Sequence, residues 1–437
     1  MLGFAAVSGL SINGFATNRS FTGDDVDGGS SISLDTNTLI LFAICLGVAI
    51  LLSYGYILLA RTFPRPFIWV TGILNIAMAF LTGIWMISRR SYGGIVFLIF
   101  GVFMAFCFWT WRKRIPFSAF LLKLSVDIAK QYGHVWIVSF VGGIAAIAFG
   151  AWYAVTLVAI YVKYSPGSPA CGADGSGCSQ AKVTGLIVFI TFTMYWMSEW
   201  LKNTIHTTVS GVYGSWYYSS GNFPSNATRS AFRRSMTTSF GSICLGSLFV
   251  AIINFLRHVC SIAAQSEAGQ GDFIGACVAC CLQCILSVLQ WALEFINRYA
   301  FSYIALFGKP YFTAAKDTWK LIKDRGIDAL INECLIGPVL SFGALFIGYV
   351  CAFAAYIYLL ITDPSYNRDG SYTPVVVVFA LLIGLQVANV FTTPLSSGID
   401  TIFVATAWDP EVLMRDHRDV YDEMVRVYPQ VQQAIHA

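Results

Sequence analysis

MYWMSEWLKNTIHTTVSGVYGSWYY, residues Met194 to Tyr218, decides how the chain is read. It has the length and apolar content of a membrane-spanning helix, yet it carries Glu199, Lys202 and His206 among aromatic residues. A charge at the bilayer centre costs a few kcal/mol or more on insertion scales, so an ionisable residue there marks a functional site by default. Glu199 and Lys202 stand one helical turn apart, and a mutual neutralisation against a neighbouring helix is the competing structural reading.

The rest of the chain has the composition of that stretch. Hydrophobic residues make up 57% of it and aromatic residues 15%, while only 11% are charged, against roughly 25% charged in a soluble globular chain. The class is therefore an all-α polytopic membrane protein. The net charge of +4 is small, and the basic residues are spread over several short loops. Nucleic-acid binding needs a concentrated basic face, so it is not expected.

Apolar runs of about 20 residues, the length a helix needs to cross the hydrocarbon core, fall near 37–60, 67–87, 93–111, 135–162, 183–212, 236–256, 273–295, 335–361 and 374–391. The first 17 residues, MLGFAAVSGLSINGFAT, are apolar but interrupted by Ser8, Ser11 and Asn13, and they lack a basic n-region. They read as a short or shortened first span preceded by no cytoplasmic tail, not as a signal peptide. With this segment the expectation is ten spans. The polar loop 18–36 separates the first segment from a transmembrane core over 37–395, and a tail over 396–437 follows.

Orientation follows from Lys and Arg in the short loops. With the amino terminus inside, eighteen of them fall on the cytoplasmic side. Seven fall outside, namely Arg19, Arg89, Arg90, Lys163, Lys182, Arg257 and Arg368, while Lys202 and Arg298 stay in spans. Both termini are thus expected in the cytoplasm. The loop 163–182 is then extracellular, where Cys171 and Cys178 can form a disulfide, and the sequon at Asn18 is a glycosylation acceptor. The other cysteines lie mostly in apolar runs and read as small hydrophobes. Among them Cys277, Cys280, Cys281 and Cys284 have the spacing of a zinc site, but on one apolar helix they lack a second ligand group to close a tetrahedron. No metal or cofactor is expected, and no phosphate loop or nucleophile elbow points to an enzyme.

Two inner segments carry more than linker composition. Residues 309–333, KPYFTAAKDTWKLIKDRGIDALINE, mix apolar and basic residues in the pattern of an amphipathic helix at the cytoplasmic surface, where basic side chains meet anionic headgroups of the membrane lipids. From Asp409 the tail opens with Asp-Pro-Glu, a good helix start, and one helix over 410–427 is expected.

Helical spacing puts Tyr195, Trp196, Lys202 and Asn203 beside Glu199, with His206 two turns on. Carboxylate and aromatic faces together suit a quaternary ammonium, which has no N–H to donate and is held by cation–π attraction of about 0.5–2 kcal/mol per ring. The aromatics Trp216, Tyr217 and Tyr218 read instead as an interfacial belt or as packing residues. A second set is Trp291, Glu294 and Asn297, with Glu294 placed to pair with Arg298 near a cytoplasmic end. His206 admits two readings, proton coupling and hydrogen-bonded packing.

The runs SEWLKNTIHTTVSGVYGSWYY, RSMTTSFGSICLGSL, FINRYAFSYIALFGKPYFTAAKDTW and DTIFVATAWDPEV resemble the choline transporter-like family, and most closely its fungal branch named for a pH-nine-sensitive phenotype. The resemblance covers nearly all of the chain after Thr36. One departure is Arg418, where many relatives have proline. It implies ten spans, a plasma-membrane location, transport of choline or a related amine such as ethanolamine, and a route lined by Glu199, Asn203 and His206 on one helix and Glu294 and Asn297 on another. A scaffold or lipid-interacting protein without a transport cycle is the alternative reading. Oligomeric state is left open by the sequence.

Overall fold

The structure is a computed structural model that describes residues 1–17, 36–88, 93–132, 134–164, 179–219, 223–270, 273–324, 334–362 and 373–429. Asn18, Cys171 and Cys178 lie outside the described residues. Among those residues the chain is helical, with no strands. The helices are α1 (Leu2–Thr17), α2 (Thr36–Thr62), α3 (Pro64–Ser88), α4 (Gly93–Trp111), α5 (Ile115–Gln131), α6 (His134–Tyr164), α7 (Gln180–Tyr218), α8 (Ala227–Met236), α9 (Phe240–Gln270) and α10 (Phe273–Phe307). After them come α11 (Tyr311–Asp324), α12 (Ile336–Thr362), α13 (Thr373–Trp408), α14 (Pro410–Asp416) and α15 (Arg418–Val427).

Nine helices of the described residues are long and apolar enough to cross a membrane. They expose large side chains such as Leu51, Val288 and Ile361, which a lipid solvent covers at no cost but water would not. A helical architecture follows from that solvent, because every backbone N–H and C=O in the hydrocarbon must be paired within its own segment. The tenth expected span, α1, has 16 residues, or about 24 Å at about 1.5 Å per residue, against about 30 Å of hydrocarbon.

Two units divide the chain. The first takes α1, α6 from Val141, α7 as far as Thr207, α9, α10 and the first turn of α11. Here α1 is fastened to α6: Ser8 Oγ accepts from Trp152 Nε1 at 2.7 Å and from Thr156 Oγ1 at 2.9 Å, and Phe4 is fully buried with Ile160, Val183 and Ile190. The helix pair α9/α10 forms the antiparallel hairpin that carries much of the candidate site.

The second unit contains α2 to α5, α12, α13 and the tail helices. Leu41, Cys45, Ala355, Leu359, Val376 and Ala380 form a core between α2, α12 and α13. Tyr56 Oη donates to Val339 O at 2.9 Å and Asn75 Nδ2 to Phe342 O at 3.2 Å. Polar groups in the membrane thus find partners across helices, as burial without water demands. The helix α5 belongs to none of the apolar runs, since Lys123, Asp127 and Lys130 interrupt it, yet eleven of its residues are buried.

Several boundaries differ from those expected. Arg257, counted as an outer loop residue, lies well inside α9, and Glu294, placed near a cytoplasmic end, sits thirteen residues before the end of α10. Each is partnered by a helical side chain, Arg257 donating to Gln290 and Gln290 to Glu294. The last span continues to Trp408 with Pro394 inside it, so the tail begins at Asp409 and not at 396. That tail is two helices broken at His417, whose φ of −129° and ψ of 48° leave the helical region. His417 Nε2 donates to Tyr217 O at 3.2 Å, and its ring stacks on Trp216 at 4.3 Å. Tyr217 Oη donates to Asp409 O at 2.8 Å. Trp216 and Tyr217 are therefore packed under the tail, the second of the two expected readings, and do not form an interfacial belt. Only Tyr218 of the three is exposed.

Candidate functional site

The site is built inside the first unit, where α7, α9, α10 and the start of α11 supply polar side chains to one another. Asn203 Nδ2 donates to Ser247 Oγ at 2.9 Å. His206 Nε2 lies 2.9 Å from Arg298 O and 3.2 Å from Ser302 Oγ. A carbonyl oxygen can only accept, so Nε2 carries the proton and the imidazole ties α7 to α10. Asn297 Nδ2 donates to Gly246 O at 3.2 Å, and Asn297 Oδ1 accepts from Tyr311 Oη at 2.5 Å. Asn203, His206 and Asn297 are all buried.

Two local features make this knot possible. At Gly246 a Cβ would stand 2.5 Å from Tyr311 Cε2 and 2.7 Å from Phe301 Cζ, so only glycine lets α9 approach the ring closely. At Gly308, φ is +64°. This left-handed residue ends α10, its N–H reaching Ile304 O at 2.8 Å, and turns the chain so that Tyr311 folds back over Asn297.

One helical turn from Asn203 lies the charged layer. Lys202 Nζ is 3.6 Å from Glu199 Oε2, the side chains being 60% and 14% exposed respectively. The Glu294 carboxylate is close enough to act electrostatically on Glu199. Glu294 Oε1 accepts from Gln290 Nε2 at 2.8 Å, and Gln290 Oε1 in turn accepts from Arg257 Nη1. Two acids and two bases thus form a near-neutral set across α7, α9 and α10. The two bases are held differently, Lys202 by one long contact on a largely exposed stem and Arg257 by a side-chain amide. Arg257 Nε and Trp200 Nε1 are buried donors with no hydrogen-bond partner among the described residues, and a buried polar atom left unpaired is an unusual cost.

Of the aromatics expected here, Tyr195 is half-buried with its ring centroid 6.0 Å from that of His258. Trp196 is half-buried and fixed by an Nε1 bond to Cys244 O at 3.1 Å. Trp291 is 68% exposed and stacks on Phe295. It is exposed, whereas Asn297 on the same helix is buried. Cys277, Cys280, Cys281 and Cys284 are exposed on α10. No group of three or more metal-ligating side chains occurs among the described residues.

Ser247, Ser302, Tyr311, Arg257 and Gln290 take part without having been singled out as site residues. The small-residue run GSICLGS, from Gly241 to Ser247, was the one available signal, since it marks a face that lets another helix come close. Tyr311 had none.

A family described as plasma-membrane choline transporter matches residues 95–411. Protein PNS1 of Gibberella zeae is 62% identical over 437 residues, covering 99% of this chain and 81% of its own. Protein PNS1 of Neurospora crassa is 59% identical over 439 residues, covering 100% and 79%. Protein pns1 of Aspergillus fumigatus is 56% identical over 443 residues, covering 99% and 82%. A match of this extent, on a polytopic helical fold, makes the chain a member of the choline transporter-like family of membrane transporters.

Proposed function

We propose that the protein carries choline or a related amine such as ethanolamine across the plasma membrane, by facilitated or proton-linked passage. The observation that carries this reading is the loose Glu199–Lys202 pair with Glu294 in electrostatic reach. The Lys202 side chain is 60% exposed and meets the 14% exposed Glu199 by a single contact at 3.6 Å, so the Lys202 ammonium can be withdrawn and a substrate ammonium can take its place against Glu199. Tyr195 and Trp196, one turn back on α7, offer ring faces to the methyl groups of a quaternary ammonium. Choline and ethanolamine share a hydroxyl, and the unpartnered Arg257 Nε is the donor we assign to it. His206, with Nε2–H given to a backbone carbonyl, holds the helices together in this scheme. Glycosylation at Asn18 and a Cys171–Cys178 disulfide belong to the same reading, in which both loops face the cell exterior and both termini the cytoplasm.

The test is uptake of labelled choline and ethanolamine into liposomes containing purified protein, with and without a pH gradient. Glu199→Gln keeps the shape but loses the charge of a contact worth about 1.5–3 kcal/mol, so saturable uptake falls at least tenfold while the amount of folded protein is unchanged. Undiminished uptake by the variant would remove the charged-site scheme, and absence of uptake by the parent protein under every gradient would favour a scaffold.

A further inference from the structure

We propose that the outward face of α11 is a binding surface for anionic lipid headgroups of the inner leaflet, and that Tyr311 transmits its occupancy to the candidate site. The helix is pinned at the membrane surface by its connections. Only Gly308, Lys309 and Pro310 separate it from the end of the membrane-crossing α10, and α12 re-enters the membrane after it. Its two faces differ in chemistry. Tyr311, Ala314, Thr318, Leu321 and Ile322 are buried, whereas Phe312, Lys316, Trp319, Lys320 and Lys323 are exposed. At 3.6 residues per turn these five, with the exposed Thr313 beside them, fall on one side of the helix.

Phe312 and Trp319 remain 65% and 45% exposed, which is unfavourable in water but suits the boundary between headgroups and acyl chains. Lys323 Nζ lies 5.5 Å from the centre of the Trp319 ring, so the face presents cations and rings as one patch. Three lysines beside an aromatic anchor complement phosphate or carboxylate headgroups by charge. Asp317, the acidic residue between them, is half-buried and off this face.

What makes the surface more than an anchor is the residue beside Phe312. Tyr311 begins the same helix, stacks on Phe249 at 6.0 Å and donates to Asn297 at 2.5 Å. A helix of 14 residues moves as a rigid rod, so drawing its outer face toward the headgroups repositions Tyr311 on Asn297, and through Asn297 the α9 backbone at Gly246. This second half of the inference rests on the transport reading above.

The experiment uses the full chain in vesicles of phosphatidylcholine alone and of phosphatidylcholine mixed with phosphatidylserine. Binding is read as quenching of Trp319 by brominated phosphatidylserine, taken as the difference from Trp319→Phe. Each lysine near an anionic surface is worth up to about fivefold in affinity, so Lys316→Gln/Lys320→Gln/Lys323→Gln weakens the quenching isotherm by one to two orders of magnitude, while choline uptake in pure phosphatidylcholine is unchanged. Coupling is read as the ratio of uptake in the two vesicles. The parent protein responds to phosphatidylserine; the triple variant does not; Tyr311→Phe keeps the quenching and loses the response. Quenching retained by the triple variant overturns the surface, and a full lipid response in Tyr311→Phe overturns the coupling. Absence of uptake in every vesicle overturns the transport reading and the coupling with it, while the quenching arm still decides the headgroup surface.

Discussion

Gly246→Ala tests whether the α9–α11 contact is as tight as its geometry requires. The added methyl would stand 2.5 Å and 2.9 Å from two Tyr311 ring carbons and 2.7 Å from Phe301 Cζ, all well inside van der Waals contact. Tyr311 cannot swing away freely, because its hydroxyl is bonded to Asn297 and its ring is packed against Phe249, Phe301 and Phe312. Overpacking of this kind costs about 1–3 kcal/mol, and a lost or lengthened Tyr311–Asn297 bond costs about 0.5–1.5 more. Alanine offsets about 0.8–1.0 of this through its better helix propensity. The net expectation is a loss of about 0.5–3.5 kcal/mol, visible as a lower unfolding midpoint when detergent-solubilised protein is heated and followed by size exclusion. Tyr311→Ala removes the ring that the methyl strikes, so Gly246→Ala costs less in that background, and the two changes together cost less than the sum of each alone by about 0.5 kcal/mol or more. A Gly246→Ala protein that melts with the parent, or two losses that simply add, would refute the argument.

Two further outcomes follow from the second unit. Tyr213 is fully buried, with Oη 2.8 Å from Ser125 O and 3.1 Å from Ser125 Oγ, so Tyr213→Phe lowers stability by about 1–2 kcal/mol; an unchanged melting curve would show that the hydroxyl contributes nothing there. His417→Ala removes both the stack on Trp216 and the bond to Tyr217 O, so the α14–α15 tail opens more often and trypsin cuts faster after Arg415 and Arg418. Equal cleavage rates in the parent and the variant would mean that the tail is held by other contacts.

How legible the site was depended on how each residue stood against its background. Glu199 and Lys202 are conspicuous because charge is rare in an apolar run, and their i,i+3 pairing is set within one helix, so spacing alone foretold the contact at 3.6 Å. Asn203, His206 and Asn297 could be named as polar, but their partners could not. Ser247, Ser302 and Tyr311 are ordinary residues on other helices, brought near by helix packing with no fixed sequence spacing. Trp291 had the right composition and the wrong direction. Arg257 looked like a loop residue because the apolar run faltered there, whereas a single side-chain amide on α10 lets it stay inside the membrane.

Composition and hydropathy foretold the nine long apolar helices, though not α5 or the break in the tail, for a reason that is local: hydrocarbon leaves the backbone no partner but its own segment, so a run of 20 apolar residues has one available conformation. The rotation of each helix about its axis, the burial of Trp216 and Tyr217 under the tail, and the return of Tyr311 onto Asn297 came from the packed chain. A helix that is apolar all round carries no amphipathic stripe to say which side faces lipid. Which charged neighbours Glu199 meets beyond its own turn is likewise a matter of facing helices. The stretch from Met194 to Tyr218 therefore announces that a site exists, and α9, α10 and α11 define what it contacts.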